Sequence, residues 1–174
     1  MAKVRRWGTY LSPIIQLHIP ELKKVPYILK DLDYLMIFLH SDGYYYNSNE
    51  DHIPIRAYRK GSKLVPLQKP QNVICNPLLA KFEEIDDYPS DDMPTGLSQW
   101  FHGQDNEDIY TCCSDSKVGG WPRWIQTSEL CGKYQFVLQI DASGEEYWEW
   151  GDCPILYIFR HIVKRNFHAS TQFC

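Results

Sequence analysis

The chain has 174 residues, an apolar share of 44% and a net charge of −4, from 18 basic and 22 acidic side chains. Its 6 Trp, 12 Tyr and 7 Phe are too much apolar mass for a disordered chain, and its size predicts one domain over residues 1–174 that needs no disulfide or metal to fold. The acidic total disfavours nucleic acid as a partner, because affinity for phosphates rests on cations that release counterions.

Met1 to Trp7 carry three cations but no apolar stretch follows, so no secretory leader is expected. Residues 14–19 are apolar and β-branched between Pro13 and Pro20 and predict a strand. Residues 26–32 predict one or two helical turns. Residues 34–40 predict a buried strand, short and closed by Ser41-Asp42-Gly43. Its apolar run is far shorter than the roughly 20 residues that cross a bilayer, so the expectation is a cytoplasmic protein with no membrane partner. Residues 53–58 alternate as a half-buried strand does, Lys60-Gly61-Ser62 is a turn, and 64–67 is a short element.

Residues 78–88 fit helical spacing (Leu78, Phe82, Ile85) and strand alternation (Leu78, Ala80, Phe82); the bracketing Pro77 and Pro89 favour the strand. Residues 89–104 read as loop with a short helix at 98–101. Residues 134–140 and 154–163 predict two further strands, the second rich in β-branched and aromatic side chains. Roughly six to nine strands and one to three short helices make the expected fold class α+β, mostly antiparallel β-sheet with a few short helices.

The charge is unevenly spread. Residues 1–70 carry 11 basic and 6 acidic side chains, residues 71–116 carry 1 and 10, and residues 117–174 carry 6 of each. An acidic middle solvates a surface loop, or docks a basic protein.

No arrangement of catalytic type stands out. Cys112 and Cys113 are adjacent, Cys75, Cys131, Cys153 and Cys174 are scattered, and no pair of histidines has ligand spacing, so neither a metal nor another cofactor is expected. Neither a nucleophile elbow nor a phosphate-binding loop occurs. Asp141, Glu145, Glu146, Glu149 and Asp152 are close enough in sequence to hold a carboxylate pair of the hydrolase kind, although carboxylates around a turn are usually solvated.

Two tryptophan stretches are more informative. In Gly119-Gly120-Trp121-Pro122-Arg123-Trp124 the glycines permit a positive-φ turn and Pro122 biases Trp121 to an extended conformation. One ring can pack inward while the other covers a rim. In Tyr147-Trp148-Glu149-Trp150-Gly151-Asp152, Trp148 and Trp150 share a face of a strand, and Asp152 bonds turn backbone. Each stretch is either an aromatic corner of the core or a recognition surface; Trp121, Trp124, Trp148, Trp150 and Asp152 are the candidate binding residues.

The segments SKVGGWPRWIQ (116–126), YQFVLQIDAS (134–143) and WEWGDCPILYIF (148–159) resemble the YwqG-like family. Residues 166–174 look like its last strand, residues 20–70 follow it more weakly, and Asp87-Tyr88-Pro89 is the one echo in between. Pro154 replaces the usual glycine. The resemblance implies a protein-binding module, since the wider superfamily includes chaperone-like programmed-cell-death-2-type proteins and bacterial relatives linked to toxin immunity; the lack of a catalytic constellation adds the expectation of no enzyme activity. A basic partner protein suits the acidic middle. The alternative is a hydrolase using carboxylates between Asp141 and Asp152.

Overall fold

The computed structural model describes residues 11–40, 53–65, 79–89, 112–127, 132–141 and 154–173. The chain divides into two compact units, residues 1–83 and 84–174.

In the first unit three antiparallel strands lie in the order β1-β2-β3: β1 Leu11–His18, β2 Leu32–His40 and β3 Ile55–Arg59. Central β2 buries Leu35, Ile37 and Phe38, as its apolar run requires of a strand with neighbours on both sides. Pro13 is tolerated in β1 because that strand is at an edge, and the register shifts between Pro13 and Ile15. Ile19, Ile28 and Leu29, from two 3-10 turns (Ile19–Glu21 and Tyr27–Leu29), complete the core with Leu17 and Leu32. A second register shift, between Leu32 and Tyr34, brings Asp33 to the turn after β3, where its carboxylate accepts the Gly61 N–H at 2.9 Å.

In the second unit β4 Lys117–Val118, β5 Tyr134–Asp141, β6 Ile155–His161 and β7 Phe167–Gln172 form an antiparallel sheet in chain order. Every residue of β6 is buried. One face of the sheet buries Phe136, Ile155, Tyr157 and Phe159, on which Trp124, Ile125 and Tyr134 pack. Register shifts between Phe136 and Leu138, and the Val137 carbonyl accepts the Gly119 N–H at 2.8 Å, which carries the strand pairing one residue beyond β4. In the β6–β7 turn the buried His161 Nδ1 accepts the N–H groups of Val163 and Lys164, both at 3.1 Å.

The expected α+β class is therefore corrected to an all-antiparallel β architecture: the described residues contain two 3-10 turns and no α-helix. The predicted helical turns of 26–32 shrink to Tyr27–Leu29, because Pro26 precedes them and Leu32 already pairs with Arg59. Three residues cannot repay the cost of nucleating an α-helix. The strand expected over 78–88 is absent from the described part, 79–89, which has no regular element and leaves Leu79, Phe82 and Ile85 exposed. Alternation without a neighbouring strand is not enough to make one. Residues 64–65 are likewise irregular. The helix expected at 98–101 lies outside the described residues.

Candidate functional site: a tryptophan loop pinned by a buried ion pair

The irregular residues 112–116 and 119–127 flank β4 and are held to the second unit's sheet by side chains far away in sequence. The register places Lys117 opposite Gln139, Gln139 opposite Tyr157 and Tyr157 opposite Ser170, so these side chains share one face of the sheet. Gln139, buried, accepts the Arg123 N–H at 2.9 Å and donates to the carbonyls of Ser114 (3.1 Å) and Asp115 (2.9 Å). The Tyr157 hydroxyl donates a short bond to the Arg123 carbonyl, and burial pushes its pKa far up, so it remains a donor. Gln172, also buried, accepts the N–H groups of Ile125 and Gln126 at 3.1 and 3.0 Å and donates to the Thr127 carbonyl at 2.9 Å. An irregular segment cannot satisfy its backbone groups internally, and these amides do so from the sheet.

The turn before Trp121 has a further anchor. The Asp87 and Lys117 side chains are only 9% and 6% exposed and lie 2.9 Å apart. The carboxylate also accepts the N–H groups of Cys113 and Trp121, each at 2.8 Å. The ammonium donates to the Cys113 carbonyl at 2.8 Å and to Cys112 Sγ at 3.3 Å. A buried pair is tolerable only when its remaining lone pairs and protons are met in this way. Gly119 and Gly120 take φ of 78° and 74°, and a Cβ on Gly120 would overlap the Asp87 carboxylate. Glycine is required there for two reasons, backbone conformation and close approach of the anchor. Burial pushes the half-buried Cys112 thiol up, and the Lys117 ammonium pulls against it.

This frame separates the two rings that flank Pro122. Trp124 turns inward, tilted against Tyr157 at 4.8 Å and stacked on Phe159 at 5.8 Å between ring centres. Pro122 is buried, and Trp121 is 42% exposed. The other binding candidates, Trp148, Trp150 and Asp152, lie outside the described residues. So do the carboxylates of the hydrolase alternative apart from Asp141, whose backbone N–H donates to Ser116 Oγ at 3.0 Å. Among the described residues no group of three or more His, Cys, Asp or Glu could hold a metal, and no helix is long and apolar enough to cross a membrane.

Sequence reasoning missed Asp87, Lys117, Gln139 and Gln172 as one assembly. Gln139 had a signal, a polar residue inside the run Val137-Leu138-Gln139-Ile140 that alternation buries. Asp87 had only the family echo Asp87-Tyr88-Pro89, and nothing local pointed to its partner Lys117, 30 residues away.

No curated protein and no solved structure matches the chain. Residues 20–171 match the model of a domain of unknown function, DUF1963, a YwqG-like family, and the chain belongs to that family.

Proposed function

We propose that the chain is a binding module without enzyme activity, in which Trp121 anchors a basic polypeptide. The observation that carries this reading is a tryptophan 42% exposed on backbone held by a buried ion pair. A large ring on a prepaid, rigid frame loses little entropy on docking, which is the behaviour of interface hot spots. The exposed Ile85 and Asp86 directly precede the Asp87 anchor, so the acidic middle of the chain leads into the same loop. Acidic charge beside an apolar anchor favours a partner with cations around an apolar side chain. Holding a basic protein before assembly and neutralising a basic toxin domain are two uses of one such surface.

The test is affinity capture from the source cells, followed by calorimetry with the captured partner. The expected partner is basic, binds stoichiometrically and binds more weakly as salt rises. Trp121→Ala should weaken binding by about 2 kcal/mol or more, roughly 30-fold. A partner whose affinity ignores both salt and Trp121→Ala refutes the reading.

A further inference from the structure

We propose that Cys112 and Lys117 are a modification site: under peroxide they join through a covalent bond between Sγ and Nζ. The two atoms are 3.3 Å apart, the thiol is half-buried and within reach of a small oxidant, and the amine is shielded from water. The cluster also contains the base the reaction needs, because Lys117 Nζ is 2.9 and 3.0 Å from the two oxygens of Asp87. This assignment does not depend on the partner-binding reading.

The chemistry balances with hydrogen peroxide as the oxidant. Sγ attacks one peroxide oxygen, the O–O bond breaks, and Cys112 becomes a sulfenic acid as one water forms; sulfur is oxidised by two electrons and the peroxide is reduced. The Lys117 ammonium passes a proton to Asp87. The amine lone pair then attacks Sγ, the S–O bond breaks, and hydroxide leaves as a second water with another amine proton. Thiol, ammonium, carboxylate and peroxide become an S–NH bond, a carboxylic acid and two waters. Asp87 ends neutral, so no unpaired charge remains buried, which a thiol–amine pair without the carboxylate could not achieve. The competing product, a disulfide between Cys112 and Cys113, is strained: neighbouring Cα atoms are about 3.8 Å apart, below the roughly 4.4–6.8 Å span that disulfides occupy.

The test exposes the folded full chain to hydrogen peroxide, digests it with trypsin without reductant and reads the peptides by mass spectrometry. The expected product is peptide 82–123, two hydrogens lighter and uncleaved after Lys117, because an N-substituted lysine is not a trypsin site. Thiol reductant should restore cleavage. Lys117→Arg keeps the cation but lacks a nucleophilic amine, and should abolish the product; Cys112→Ala should do the same, and Cys113→Ser should leave it intact. The folded state of each variant is checked by tryptophan emission. Normal cleavage after Lys117 in treated protein, with Cys112 carried on to sulfinic acid or paired with another cysteine, overturns the proposal. So does loss of the product in folded Cys113→Ser.

Discussion

Residues 11–65 and residues 84–173 both build antiparallel sheet, but they hold their irregular segments differently. In the first, the 3-10 turns are closed by aliphatic side chains, Ile19, Ile28 and Leu29, that drop into the same core as Leu35 and Ile37. In the second, the longer loop 112–127 is fastened by polar groups: Gln139, Gln172, the Tyr157 hydroxyl and the Asp87–Lys117 pair. Apolar closure is non-directional and tolerates small shifts. Hydrogen-bonded closure fixes backbone position group by group, which is what a loop that presents one ring needs.

The largest expected effect tests that contrast directly. Asp87→Ala leaves the buried Lys117 ammonium without its counter-ion and the Cys113 and Trp121 N–H groups without their acceptor, and should cost about 3–5 kcal/mol in urea denaturation. Adding Lys117→Met should recover part of that loss, because the second change removes the orphaned charge. Leu35→Ala, fully buried in the first unit, should cost a similar amount, about 2–5 kcal/mol by the cavity it leaves. No single second substitution should recover it. A cost below about 1 kcal/mol for Asp87→Ala would mean that the pair does not hold the loop.

The next comparison uses two glycines with nearly equal backbone. Gly61 in the first unit has φ of 78° with open space around its missing Cβ, and Gly120 has φ of 74° against the Asp87 carboxylate. Gly61→Ala should cost only the left-handed backbone term, about 1–2 kcal/mol. Gly120→Ala should cost clearly more and should perturb Trp121 emission. Equal costs would show that the carboxylate yields easily.

The smallest effect is a pH dependence. His161 accepts two N–H groups through Nδ1, and burial first, then the Lys164 and Lys133 cations, lower its pKa from the usual 6.5. The edge-packed Tyr134 is its ring neighbour. Protonation removes the acceptor. The unfolded chain takes up the proton at higher pH than the folded one, so this contribution is complete above about pH 6.5 and is lost as pH falls below it. The protection factors of the Val163 and Lys164 amides, referenced to the intrinsic exchange rate at each pH, should fall on acidification, and His161→Phe should abolish the response. Unchanged protection as His161 titrates would remove His161 as the clamp of that turn.

Much of the sheet was legible in the sequence. The apolar run of β2, the alternation of β5 and the β-branched aromatic run of β6 predict strands within a few residues of those observed, because strand pattern is local. The Gly-Gly turn was legible too, since positive φ is a property of the residue itself. The same local reading failed at 26–32 and 79–89, where the neighbours of a segment decide its state.

By itself the sequence determined that antiparallel strands dominate, the punctuation of the turns and the stretch that carries the family resemblance; the α-helices it also predicted have no counterpart among the described residues. Only the tertiary structure decided between Trp121 and Trp124, and showed that Asp87 is an anchor where charge alone suggested solvated surface. The physical reason is range. Periodicity and turn chemistry act over a few residues, whereas Gln139, Gln172, Tyr157 and Asp87 reach the loop from 16 to 47 residues away. Such polar pairs leave no periodic mark in the chain that makes them.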